Sequence, residues 1–156
     1  MSNQPLSEVG GRPFAELDED ECLRRVASRS VGRLAVIVGH YPQVFVVNYQ
    51  LDNFVVVFRT HNGTKLEAAN HANIAFQVDH IDTSEHTGWS VLIQGMAEDV
   101  TDRRADFTAQ RARDLGVEPW IPGAQPRLVR VIPAYITGRE LGPAELTYWS
   151  DDRGYL

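Results

Sequence analysis

Phe58-Arg59-Thr60-His61-Asn62-Gly63-Thr64-Lys65-Leu66 concentrates more potential chemistry than any other stretch of this chain. An apolar run ends in Arg59 and Thr60, an Asn-Gly turn follows, and a helical pattern begins at Thr64 with Lys65 in its first turn. Lysine is normally placed at helix C-termini, because the N-terminus is already electropositive. Lys65, Arg59 and the helix start therefore add positive potential to one another. A phosphate suits such a place: backbone N–H groups, a threonine hydroxyl, a point charge and a guanidinium fork can converge on it. The alternative is a set of surface cations held in ion pairs, for instance with Glu67.

Other reactive residue types are less organised. His80 and His86 share a polar stretch with Asp79, Asp82 and Glu85, but the spacing matches no metal motif, and no metal is expected. His61 lies beside the cationic segment, where it could meet a phosphate or simply serve the turn. Cys22 falls on the apolar side of a helix and suits a small core filler. Gly88-Trp89-Ser90-Val91-Leu92 lacks the second glycine of a nucleophile elbow. No residue stands out as catalytic. Trp89, Trp120 and Trp149 could stack on a flat ring or fill a core or a subunit contact.

These residues need elements to hold them. Residues 1–14 form an expected flexible N-terminal arm, residues 15–141 a folded domain, and residues 142–156 an irregular tail. Asp18 and Glu21 make a capping-box-like pair for a first helix, which Gly32 would end. Arg33 to Val38, Gln43 to Leu51, Phe54 to Thr60, Asn73 to Asp79, Trp89 to Val100 and Arg127 to Thr137 predict six strands. Asp52-Asn53 predicts a two-residue hairpin turn. Gly95 suggests a bulge or a close backbone approach, and Pro133 an edge or a bulge. Thr101 could cap a charged helix to Leu115, with Gly116 as its stop and a solvated flank as its role. Glu118 to Gln125 predicts a loop. Many strands joined by short links favour an antiparallel barrel over a doubly wound sheet. Both faces of the hairpin strands are apolar, so a second wall, a ligand or another subunit should cover the outer one.

Composition narrows the function. The chain has 156 residues, 43% hydrophobic and 23% charged, which suits one soluble domain. Lys plus Arg number 15 against 21 Asp plus Glu, a net charge of −6 and the wrong sign for a nucleic-acid binder. No apolar run approaches the roughly 20 residues of a bilayer span, and no secretory h-region opens the chain. A single cysteine permits no internal disulfide. A cytoplasmic protein with a small-molecule ligand or a protein partner is expected.

Several pieces, in order, resemble the pyridoxamine phosphate oxidase-like, flavin-binding split-barrel family, in the branch that includes nitroimidazole-resistance-type proteins. They are Val31-Gly32-Arg33-Leu34-Ala35, Tyr41-Pro42-Gln43, Val47-Asn48-Tyr49, Phe58-Arg59-Thr60 with Gly63-Thr64-Lys65-Leu66, Phe76-Gln77-Val78-Asp79, Gly88-Trp89-Ser90-Val91 with Gly95, and Gly138-Arg139. The resemblance implies a mainly β fold with short helices, a six-stranded antiparallel split β-barrel, in a homodimer with FMN at the subunit interface. It implies that the strand Val46, Val47, Asn48 and Tyr49 lies along the flavin ring with its backbone groups at the ring's polar edge, that Phe58, Arg59, Thr60, Thr64 and Lys65 hold the phosphate, and that Trp89 and Ser90 also contact the flavin. Val46 stands where this branch often has Pro, and Gln77 where it often has Glu. No basic and aromatic set for a pyridoxamine phosphate substrate can be placed.

The function implied is an FMN-dependent oxidoreductase, passing electrons from a reduced nicotinamide to a small acceptor. Other members of the fold use a deazaflavin coenzyme or haem, for which His61, His80 or His86 would have to serve as axial ligand. A flavin-binding dimer without turnover is the third possibility.

Overall fold

The computed structural model describes residues 14–61, 63–118, 120 and 126–142. The expected arm before residue 14, the tail after residue 142 with Trp149, and most of the loop expected after Glu118 lie outside the described residues. The elements in chain order are β1 (Phe14–Leu17), α1 (Glu19–Ala27), β2 (Val31–Val38), β3 (Tyr41–Asp52), β4 (Val55–Thr60), α2 (Thr64–Ala69), β5 (Asn73–Asp82), β6 (Thr87–Asp99), α3 (Phe107–Asp114) and β7 (Arg127–Leu141). The protein is mainly β with short helices, and every strand-to-strand pairing is antiparallel.

The pairing order is β1-β7-β4-β3-β2-β5-β6, and β6 pairs again with β7. The six strands expected from the sequence thus follow one another in a ring of pairings of the split-barrel type. β1 is a short addition, pairing Phe14–Leu17 with Gly138–Leu141 on β7. Phe14, the last residue of the expected arm, is thus already in a strand.

Alternation sets the interior. Leu34, Val36, Val47, Tyr49, Val56, Phe58, Phe76, Val78, Val91 and Ile93 point into one core. Asp18 caps α1 as expected, its carboxylate accepting from Glu21 N at 2.8 Å. Cys22 and Val26 then seat that helix on the core. The helix stops at Ala27, before Gly32, because Val31 and Gly32 already pair with β3.

Other boundaries shift for physical reasons. The hairpin turns at Asn53-Phe54, one residue later than Asp52-Asn53, because Asn53 is the turn residue at positive φ (56°) and Asp52 pairs with Val55. Asp106, not Thr101, caps α3, accepting from Thr108 N and Ala109 N. Thr101 instead bonds Asp99 and accepts from Leu128 N, fixing the crossing into β7. The stretch from His80 to Gly88 is mostly strand, so His80 sits in β5 and His86 in a tight turn.

The second apolar face of β4 is covered from within the chain. Val57 is fully buried in a cluster with Val100, Ala109, Ala112, Val117 and Leu128, so α3 is a lid on the sheet rather than a solvated flank. Among the described residues nothing covers the outer face of the β2–β3 ribbon in this way. Ile37, Tyr41, Val44 and Val46 are 58%, 75%, 63% and 68% exposed.

β6 and β7 slip by one residue between Gln94 and Gly95, where Gly95 faces Pro133 and Ala134 is skipped. A Cβ on Gly95 would lie 2.1 Å from the Ile132 carbonyl oxygen. Backbone cannot yield as a flexible side chain can. Gly95→Ala should therefore destabilise the fold by about 2 kcal/mol or more, read as a lower midpoint in urea unfolding. An unchanged midpoint would mean the bulge is softer than its geometry implies.

Candidate functional site

β3 is longer than either partner, and this creates the site. Residues 41–48 pair with β2, and only residues 49–52 pair with β4. Beyond the Tyr49–Phe58 pair the two strands part, and β4 continues through Arg59 and Thr60 alongside β7. Between the parted strands lies a groove of about 270 Å³, bordered by Val46, Val47, Asn48, Arg59, Thr60 and Lys65. Val31, His61 and Trp120 complete its lining.

The edge of β3 facing the groove is unpaired among the described residues. Tyr49 N donates to Ser30 O at 2.9 Å, towards β2. Strand alternation then turns the backbone groups of Asn48 and Val46 away from β2, towards the open side. These groups can bond a planar polar edge.

The cations at the other end are available. Among the described residues neither Arg59 nor Lys65 has an ion-pair partner, and Glu67 pairs with neither. Lys65 Nζ lies over the Phe45 ring, 5.2 Å from its centroid, a cation–π contact that does not neutralise the charge. Burial pushes the Lys65 ammonium below its ordinary pKa. Thr60 is 5% exposed, and among the described residues its hydroxyl makes only a long 3.5 Å contact with the His61 carbonyl. Two unpaired cations and a poorly satisfied buried hydroxyl at one end of a groove fit a phosphate.

α2 is six residues long and opens without a side-chain cap. Gly63 leads into it at φ 154°, a region favouring glycine, and nothing crowds the position. The glycine therefore serves backbone direction, which brings Lys65 back under Phe45. Thr64 is exposed and does not border the groove.

The other residues expected at the site divide by burial. Val47 is 5% exposed and Phe58 fully buried, so each presents backbone rather than side chain. Tyr49 is 2% exposed, donates its hydroxyl to Val26 O at 2.5 Å, and meets Phe76 edge-on at 5.0 Å. Burial pushes its phenol well above the ordinary range. Tyr49 is a core strut whose ring cannot stack on a ligand.

Trp89 and Ser90 do not border this groove. Trp89 is 5% exposed, with the Arg25 and Arg29 guanidinium groups 5.7 and 5.9 Å from its ring centroid. It lines a separate cavity of about 480 Å³ with His80, Arg25 and Glu140. Ser90 lies in β6 between Asp79 and Arg139. Gln77 belongs to a polar cluster on the outer face, where Arg33 bonds both Gln77 and Asp79. Among the described residues no three His, Cys, Asp or Glu side chains gather as a metal site.

Trp120 was open in the sequence and is specific here. Its side chain is 71% exposed yet borders the groove. Val46 borders the groove on the strand expected there, while an aromatic in a Pro-rich stretch was the one signal for Trp120, and the fold alone brings it to the same groove as Arg59.

Comparison with known proteins agrees with this architecture. The family model for pyridoxamine 5'-phosphate oxidase matches residues 18–140. A Mycobacterium tuberculosis protein, Rv0080, is 30% identical over 138 residues, covering 85% of this chain and 88% of its own. A Corynebacterium glutamicum structure assigned by name to pyridoxamine 5'-phosphate oxidase is 31% identical, with TM-score 0.70, covering 86% of this chain and 98% of its own. The FAD-binding protein of Mycobacterium smegmatis is 36% identical, with TM-score 0.65, covering 81% and 97%. With a matched family model over most of its length, the chain belongs to the pyridoxamine 5'-phosphate oxidase-like split-barrel family.

Proposed function

We propose that this protein binds a flavin in the groove between β3 and β4 and acts as a flavin-dependent oxidoreductase on a small acceptor. The observation that carries the reading is the pair of unpaired cations, Arg59 and Lys65, beside the buried Thr60 hydroxyl at the end of an open strand edge. FMN is the form that fits most simply, its terminal phosphate taken by Arg59, Thr60 and Lys65. FAD has a relative in its favour, the Mycobacterium smegmatis FAD-binding protein. The bound ring supplies two-electron chemistry between a reduced nicotinamide and a small acceptor.

The chain's own residues position and shelter that ring. Arg59 supplies a guanidinium fork and Lys65 a desolvated ammonium. The backbone of Val46 and Asn48 offers groups to the ring's polar edge, while the side chains of Val47 and Phe58 anchor their strands in the core. No side chain of the groove is asked to act as an acid or base. The Trp89–Ser90 strand start lies outside this lining and would meet a flavin across the boundary of the proposed dimer. The exposed apolar face of Ile37, Tyr41, Val44 and Val46 supports a homodimer that buries it and encloses the groove.

The purified protein should be yellow or take up added FMN or FAD, followed by absorbance and flavin fluorescence. Arg59→Ala and Lys65→Ala should each weaken uptake roughly 10- to 100-fold, as expected for losing a charge-assisted hydrogen bond to phosphate. Unchanged affinity in both would remove the cradle from the reading. Deazaflavin and haemin titrations separate the other cofactors, and stopped-flow mixing with NADH or NADPH tells turnover from mere binding.

Lys65 gives a second expectation. Its folded pKa lies below the unfolded value, so the unfolded chain binds more protons between the two. Its destabilising effect is therefore complete below the folded pKa and fades as pH rises towards the ordinary lysine range. Lys65→Met should make the flavin-free protein more stable near neutral pH while weakening flavin uptake, with the stability gap narrowing in alkali. Urea unfolding across pH reads it; a variant less stable at every pH would contradict it.

Sedimentation should show a dimer at micromolar concentration, and Val46→Asp should shift it towards monomer. A parent protein that sediments as a monomer under the same conditions would argue against the shared face.

A further inference from the structure

Asn48 occupies the position where β3 loses β4, and its side chain is engaged on both ends. Its amide nitrogen donates to the Glu118 carbonyl, and its amide oxygen accepts from Trp120 N at 3.3 Å. Donor and acceptor match the two backbone groups they meet, which sets the amide's orientation. The partners lie 70 and 72 residues away in sequence. Trp120 is held by this clasp beside Arg59 and Lys65 while its side chain stays 71% exposed. A large aromatic left that open, in a chain that buries Trp89 to 5%, has a face free for a partner.

We infer that Asn48 is a positioning residue rather than a side-chain ligand of the cofactor, and that it holds Trp120 as an aromatic wall of the flavin groove. The inference rests on the flavin reading for its ligand, but the clasp itself does not. With its amide nitrogen and oxygen each bonded to the backbone of Glu118 and Trp120, the Asn48 side chain is held to that segment rather than free to turn to a ring. Its own backbone still faces the open edge. The indole can then pack on the planar, electron-poor ring, and the cations hold the charged end.

The test uses the full-length chain labelled with 5-fluorotryptophan and followed by fluorine NMR. Trp120→Phe assigns the Trp120 resonance. In the flavin-free protein, Asn48→Ala should shift and narrow that resonance and leave the Trp89 signal in place. An unmoved Trp120 resonance would overturn the clasp, and a moved Trp89 signal would mark general disruption and also count against it. In the parent, FMN should shift the Trp120 resonance, and FMN affinity should fall about five- to tenfold in Trp120→Ala. Asn48→Ala should fall similarly, and the double variant should be no weaker than either single one. Additive losses would mean that Asn48 touches the cofactor itself. FMN that binds optically without moving Trp120 would overturn the wall. If the parent takes up no flavin, the flavin reading and the wall fall together, while the flavin-free spectra still decide the clasp.

Discussion

The groove depends on one constraint: β3 is hydrogen-bonded on one edge for most of its length and on the other only near its end. After Tyr49 meets Phe58, β4 must follow β7, and β3 remains with β2. An unpaired strand edge normally invites aggregation or another strand. Here its consequence is a slot with backbone donors and acceptors along one wall. The cations stand at the far end because β4 runs on for two residues past the split, and α2 folds back at once.

Among the described residues Arg59 and Lys65 have no carboxylate partner, an arrangement that is costly without a ligand. The chain has more acidic than basic residues, and it pairs Arg25, Arg103, Arg127 and Arg130 with carboxylates elsewhere. A fold under selection for stability alone would have neutralised Lys65, whose burial already disfavours its charge. The Phe45 ring offsets part of that cost without occupying the ammonium's hydrogen bonds. A binding site tolerates such strain when the ligand relieves it.

The buried aromatics show how the same slot is kept rigid. Tyr49 spans from the end of β3 to the last turn of α1 through its hydroxyl, and Phe76 holds its ring edge-on. The strand position that opens the groove is thus tied to a helix and to β5. Asn48, next along, faces outward and ties the chain after α3 to the same point. Adjacent residues on opposite faces brace the groove from inside and outside.

Much of this was legible in residue order. The cap at Asp18, the hairpin near Asn53, the bulge at Gly95 and the pairing of Arg59 with Lys65 follow from local rules: capping, positive φ, backbone crowding and the placement of charge at a turn. Six of the seven strands follow from β-rich apolar runs bounded by turn residues, and β1 escaped because four residues are too few to stand out as a run. Long-range partners were not legible. Nothing local says that α3 covers Val57, that Tyr49 turns inward to Val26, that Trp89 lies under Arg25 and Arg29 away from the groove, or that Trp120 returns to Asn48. Those contacts join residues tens of positions apart. They are decided by which strand runs out of partner first, a property of the assembled sheet and of no single segment.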